Sequence, residues 1–559
     1  MWPLAVAATT AGALVLRLWG IRHGLPFAYN IDENAHFVPH AIGLFGHDWN
    51  PNYFANPPGL TYLLHAAFAV WFGGAQATGR ALARHPGEVF EVARLTTALV
   101  ATAAVPLLYL AGARLLGRGA GLLAAALLAV AFLPVFYAHE ALNDAAALAP
   151  MALALYGAAG VLRHGRRRDY LIAGVGVGLA WATKYTAAIV ALPLLAAAVS
   201  APGPRVRIVR RLGLGVATAL AAAFAAHPYA LLDAPGFLAG VRHQASASGA
   251  GKLGITAGGG HLYYLWTLTW GLGWVPAAGA LAGAVALARA DRRVAALLLP
   301  APVLLFIYMG FQERYFGRWL MPALPFLCLL AAAGALALAR LAGPRWRIAA
   351  VTAAAAALCL QGLVFSIHAD LVLSRADTRA GARAWMLAHV PPGAAVAIEP
   401  VVTDAWLSDG TRWRNLAPAT LRPPGRHALA DGQALRRLPR SPGAVGFDGY
   451  ERTLSPTLLD AWERAGVCWV MTGSTQAGRA LAHPRAAPAA VAFYGALARR
   501  GRLVFHASPM DRGRPPPAFN FDWSFDYYPL DYRRPGPLIE VYRLRGRRCA
   551  SALAAGPQA

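Results

Sequence analysis

Residues 29–62, YNIDENAHFVPHAIGLFGHDWNPNYFANPPGLTY, follow a first apolar run. Within a few turns of chain they set two adjacent acids, Asp32 and Glu33, two histidines at helical spacing, His36 and His40, and a double proline, Pro57 and Pro58. The neighbouring sequence is mostly alanine, leucine and valine, which gives carboxylates beside an apolar surface little structural reason to be there. Chemistry is one such reason. Around this stretch the 559-residue chain is 57% hydrophobic and only 14% charged, too apolar for an ordinary soluble protein of this size. The reading is therefore a multi-pass α-helical membrane protein.

A helix needs about 20 mainly apolar residues to cross the hydrocarbon core. Runs of that kind are predicted at 2–20, 89–113, 119–138, 144–162, a broken 169–200, 212–232, 262–288, 294–311, 319–339 and 348–367. The first lacks the basic start of a secretory signal and reads as a retained membrane helix. The segment 60–72 is too short to span and is expected to lie at the interface. The formal charge of +25 comes mainly from arginine, clustered at Arg114 and Arg118, at 163–168, at 205–211, at 289–293 and at 340–347. If all five clusters are cytoplasmic, an even number of crossings separates each pair. Two short helices meeting near Lys184 satisfy that count and give about eleven spans, with the N-terminus inside. The basic excess is then a topological signal, and nucleic acid is not an expected partner, since aromatic-basic interleaving and finger spacing are missing from the sequence.

The same bookkeeping gathers the remaining polar groups on the external face: Asp32 and Glu33, then His139, Glu140, Asn143 and Asp144, then Lys184, then His227 and Tyr229, and finally Glu313, Arg314 and Arg318. Residues 1–367 form the predicted transmembrane domain, with the first external loop at 21–88. Residues 368–559 read as an extracytoplasmic α/β domain, with a helix at 376–389, strands after PPG and near 466 and 538, and a helix around 455–465. The proline- and aromatic-rich run from Pro515 to Pro537 fits no regular element. Cys328 and Cys359 fall in apolar runs; Cys468 and Cys549 could pair if their domain is external.

Each candidate has a plain alternative. Asp32 and Glu33 serve either as loop acids and a helix cap or as a general base and its partner. His36 and His40 share a helix face with Asp32 and are either headgroup-level polar residues or metal ligands. Glu140 and Asp144, four apart, would share one face of a helix that begins there, and with His36 they are the candidate ligands of a divalent cation. Lys184, Arg314, Arg318 and Arg17 carry charge at the edge of apolar runs. They either pair internally or gather on an anion such as a lipid-linked phosphate. Pro57 and Pro58 are read as scaffold.

The order of IDENAHF, PPGLTYLL, NDAAALAPMALAL, GLAWATKYTAAIVALPLL, HPYALLD and ERYFGRWLMPALPFL resembles the GT-C membrane glycosyltransferases. Within them it looks most like the branch that includes protein O-mannosyltransferases and the bacterial enzyme that adds aminoarabinose to lipid A. The resemblance covers about residues 1–365. It implies transfer of a sugar from a polyprenyl-phosphate carrier to a hydroxyl of a protein, lipid or polysaccharide acceptor on the external side of a plasma membrane, with inversion and without a nucleotide cofactor. Carried over residue by residue, it implies Asp32 as base with Glu33 as partner, and Lys184 and Arg314, with Tyr315 and Arg318 beside them, as binders of the donor phosphate. HEALND stands where a second acidic motif, Glu140 and Asp144, would be, and the need for a metal stays open. The competing readings are a transporter of polyprenyl-linked glycans, which would prefer midplane polar groups and repeated halves, and a non-catalytic assembly protein.

Overall fold

The computed structural model describes the chain except for residues 47, 404–405, 407–412, 416–426, 429–435, 438–446, 512, 516–517, 524–526, 547–548 and 550–559. Among the described residues, seven helical segments are long and apolar enough to cross a membrane: Pro86–Leu115, Asn143–His164, Arg205–Ala226, Gly260–Ala290, Arg292–Gly310, Gly317–Ala339 and Pro344–His389, the last of which is interrupted after its apolar part, Arg347–Leu373. The other four expected spans are shorter helices, Trp2–Leu18, Arg118–Val130, Arg167–Thr183 and Tyr185–Val199. Lys184 stands between the last two in extended conformation (φ −150°, ψ 122°), which stops one helix and starts the next.

Three details differ from the sequence reading. The run at 119–138 is broken at Ala131 (φ −58°, ψ 133°) into Arg118–Val130 and Phe132–Tyr137. The span expected at 212–232 begins at Arg205 and ends at Ala226, because long arginine stems extend an apolar helix while their heads reach polar surroundings. Helices Ala75–Arg84 and Ala234–Gly249 carry no long apolar run and were not anticipated.

Four of the arginine-bearing turns come together at one end of the bundle. Arg114 pairs with Asp169 at 3.2 Å, and Arg163 donates to Leu115 O at 2.6 Å and lies 3.7 Å from Asp291. Arg211 donates to Gly165 O. Elsewhere Arg17, fully buried, is occupied by the carbonyls of Ala13, Leu128 and Ala129. Those bonds to Leu128 O and Ala129 O cap the end of helix Arg118–Val130.

After Leu373 the chain builds a five-stranded mixed sheet from β1 (Ala394–Ile398), β2 (Trp413–Asn415), β3 (Trp469–Gly473), β4 (Gly501–Ala507) and β5 (Ile539–Leu544). The spatial order is β2-β1-β3-β5-β4, with β1 parallel to both neighbours and β5 antiparallel to β3 and β4. Helices Thr378–His389, Pro456–Arg464 and Pro488–Arg500 contribute Met386, Leu459 and Phe493 to a core that includes Val396, Val470 and Val541. Cys468 and Cys549 form a disulfide. The aromatic run that fitted no element returns to the membrane bundle: Tyr527 packs edge-on against Phe132, Phe136, Tyr137 and Trp270.

Candidate active site

The first loop enters through a π-helical turn, Glu33–Phe37. Asn30 Oδ1 accepts the N–H groups of Asp32 (3.0 Å) and Glu33 (3.3 Å), so Asn30 does the work of a cap and the Asp32 carboxylate is spared for other partners. A π turn is wider than an α turn and is frequent at functional sites. Here the two adjacent acids enter two separate networks.

Glu33 is fully buried and holds Arg94 in a two-point ion pair, with Nε and Nη2 each 2.7 Å from its oxygens. It also accepts Ala141 N–H at 3.1 Å. Arg94 Nη2 reaches Glu140 at 3.5 Å, Glu140 lies 3.4 Å from His23 Nε2, and Arg94 Nη1 donates to Ile21 O and His23 O. This inner network joins the first loop to the second.

Asp32 takes part in an outer network. Its Oδ2 accepts Arg318 Nη2 at 2.8 Å; Arg318 Nε lies 3.9 Å from Asp144; and Asp144 Oδ1 accepts Lys184 Nζ at 2.6 Å. Four turns from separate parts of the chain thus meet at one place. The Asp32 side chain keeps about a quarter of its surface exposed, while Asp144 and Lys184 are nearly covered. Burial works to raise the Asp32 pKa, but the charges of Arg318, His36, Lys252 and Lys184 together outweigh it and hold the carboxyl below its ordinary value. Asp32 is therefore an anion at neutral pH.

The scaffold that brings these turns together is visible in the first loop. Asn143 Nδ2 donates to Thr183 O at 2.9 Å and lies 3.4 Å from Asn56 Oδ1, tying the loop to the Lys184 turn. Pro57 and Pro58 lead into helix Gly59–Phe72. A Cβ on Gly59 would stand 2.5 Å from Ala182 O, so only glycine lets the helix start approach that closely. Tyr53 is stacked at 4.8 Å from both His36 and His40, and His36 Nε2 is 4.0 Å from Asp32.

The remaining candidates are placed elsewhere. Glu140 and Asp144 do not share a helix face: residues 139–142 form a turn and the helix starts at Asn143, which sends Glu140 to the inner network and Asp144 to the outer. Arg318, and not Arg314, meets the acids. Arg314 donates its backbone N–H to Ser248 O, and its Nε is buried without a hydrogen bond. Tyr315 donates to Thr256 O at 2.9 Å. His36, Glu140 and Asp144 are not assembled as metal ligands, and among the described residues no group of three or more His, Cys, Asp or Glu is gathered for an ion. Lys252, Arg94, Tyr53 and Asp522 were missed in the sequence. Lys252, in the glycine-rich loop after residue 249, has its Nζ 4.8 Å from the Phe521 ring centroid, and it carried no signal beyond its charge.

This geometry can be set beside known proteins. The family described as dolichyl-phosphate-mannose-protein mannosyltransferase matches residues 75–229. No curated protein matches. Among solved structures, ArnT from Cupriavidus metallidurans in the apo state is similar at TM-score 0.50 and 18% identity, over 73% of this chain and 84% of that one. The archaeal oligosaccharyltransferase AglB from Archaeoglobus fulgidus, in complex with an inhibitory peptide and a dolichol-phosphate, is similar at TM-score 0.51 and 13% identity, over 91% and 73%. The fold is that of the GT-C membrane glycosyltransferases. The family match and the fold together support a glycosyltransferase that resembles the O-mannosyltransferases and ArnT.

Proposed function

We propose that this protein moves a sugar from a polyprenyl-phosphate carrier to a hydroxyl acceptor on the external side of the membrane, with Asp32 as general base. The observation that carries the reading is the outer network, in which Arg318 links Asp32 to Asp144 and Lys184 from four separate turns. The dolichol-phosphate in the AglB complex supports the carrier class.

In the reaction the acceptor oxygen attacks the anomeric carbon as its proton passes to Asp32. The bond from that carbon to the phosphate oxygen breaks, its electron pair leaves with the polyprenyl phosphate, and the configuration inverts. Negative charge grows on the departing phosphate, and Lys184 and Arg318 are cations fixed in advance where it would form. The buried, unbonded Nε of Arg314 is a further donor close in sequence to this turn. Glu33, fully engaged by Arg94, anchors the loop that presents Asp32. The external assignment is supported by the meeting of arginine-rich turns at the other end of the bundle, which fits a cytoplasmic face, and by the Cys468–Cys549 disulfide, which fits an oxidising compartment.

The test incubates the purified protein with polyprenyl-phosphate esters of mannose, glucose, galactose and aminoarabinose, together with a membrane extract as acceptor source. Mass spectrometry then follows loss of the sugar from its carrier. One donor is expected to be consumed, with turnover reduced about 10²–10⁴-fold in Asp32→Asn. Wild-type turnover by that variant, or consumption of no donor, overturns the proposal.

A further inference from the structure

The stretch that fits no regular element supplies a buried carboxylate to the back of the site. Asn520 Oδ1 accepts the N–H groups of Asp522 (2.9 Å) and Trp523 (3.3 Å), which fixes a tight local turn. The turn is held on both sides by rings. Phe521 packs 5.7 Å from Phe316, and Trp523 lies 4.7 Å from Trp266 and 6.0 Å from Trp270. Asp522 is itself fully buried. Its Oδ2 accepts Gly317 N–H at 2.8 Å and the hydroxyl of Tyr263.

Gly317 immediately precedes Arg318 and opens the 3-10 turn Gly317–Ala323. A Cβ at position 317 would lie 3.1 Å from Asp522 Oδ2 and 2.9 Å from the Trp270 ring. The glycine of the FGRW motif is thus what permits the carboxylate to approach the main chain. A buried carboxylate is an expensive way to hold a turn, since an apolar side chain of similar volume is often as stabilising. Burial pushes the Asp522 pKa up to about 6, against the opposing pull of Tyr263, Gly317 and Arg318.

We infer that Asp522 is a positioning residue for the transfer reaction: by holding the Gly317 N–H it fixes the turn from which Arg318 reaches Asp32 and Asp144. The C-terminal region, separated from the membrane turns by about 200 residues of sequence, therefore completes the active site. This rests on the proposed role of Asp32.

The experiment compares Asp522→Asn, which keeps an oxygen for Gly317 and Tyr263 but has no carboxyl to titrate, with Asp522→Leu, which fills the volume and accepts nothing. Asp522→Leu is expected to lower kcat/KM roughly 10²-fold, as a misplaced charged group does. The acid limb of its pH profile should lie about one pH unit or more above that of Asp522→Asn, because Asp32 loses the cation that depresses it. Hydrogen exchange of segment 315–320 in the purified protein should be faster in Asp522→Leu and unchanged in Asp522→Asn. Coincident acid limbs, or equal exchange in the two variants, overturn the inference. Normal turnover by Asp32→Asn instead removes the parent reading and this one with it, and it is recognised in the Asp32 variant alone.

Discussion

Asp32 and Glu33 are neighbours in sequence, yet their substitution should produce opposite phenotypes. Glu33→Gln removes one charge from a fully buried pair in which both contacts to Arg94 are 2.7 Å. Deleting one partner of such a pair costs about 3–5 kcal/mol, since the other charge is left uncompensated. Here Glu140 remains 3.5 Å from Arg94 Nη2, and the two carbonyls of Ile21 and His23 still accept its Nη1. The lower end, about 3 kcal/mol, is therefore expected. At 2–4 °C per kcal/mol for a cooperative unit of ordinary domain size, this lowers the unfolding midpoint by roughly 6–12 °C. Asp32→Asn retains an acceptor for Arg318 and leaves a partly exposed position, so its midpoint should move by no more than roughly 2–4 °C, the equivalent of one hydrogen bond of about 1 kcal/mol. The assay is tryptophan fluorescence in one detergent at one scan rate, because membrane-protein unfolding is scan-rate dependent. The double variant Glu33→Leu with Arg94→Met should recover part of the loss. A Glu33→Gln protein with an unchanged midpoint and abolished turnover would refute the reasoning and make Glu33 a chemical group.

Three other outcomes follow from the geometry. The Asp32 pKa is depressed in the folded protein, so its ionised form is favoured: the stability it contributes is present above the unfolded value near 4 and is lost as pH falls through the folded value; the acid limb of kcat/KM should lie below about pH 4, and Arg318→Gln should move it upward. Gly59→Ala drives a Cβ to 2.5 Å from Ala182 O, a clash of about 1–3 kcal/mol that should push the first loop off the Lys184 turn and be read as a fall in kcat/KM at preserved membrane expression. Reduction of the Cys468–Cys549 bond, which spans 81 residues, should destabilise the C-terminal domain by roughly 4 kcal/mol in the chain-entropy view, seen as a lower protease threshold after treatment with a reductant.

The spans and the places where the chain turns were legible in the sequence because hydrocarbon imposes a length and excludes charge, both of which a one-dimensional pattern records. The break at Lys184 was legible for the same reason. Which acid meets which cation was not. Pairing depends on how each turn is rotated, and Arg314 and Arg318 are equally basic in sequence, although only Arg318 reaches Asp32. The break at Ala131 was hidden because an apolar residue stands where the helix stops. Asp522 was hidden because its partner, the Gly317 N–H, is a main-chain group that every non-proline residue has.

The division of labour between the acids gives the site its logic. Each of the two acidic segments, Asp32-Glu33 and Glu140-to-Asp144, sends its glutamate inward and its aspartate outward. Arg94 binds both glutamates in a place that solvent does not reach. That inner clamp fixes the first loop against the second, and so it also fixes Asp32 relative to Asp144, the two anions that flank Arg318. A general base must stay within hydrogen-bond reach of the proton it removes, and the single π-helical turn that follows Asp32, reached from Leu18 by irregular chain, would not hold it there unaided. The buried pair does so at a distance from the chemistry, which is why loss of Arg94 should lower turnover through position, and why an acid adjacent to the base in sequence need not touch the substrate.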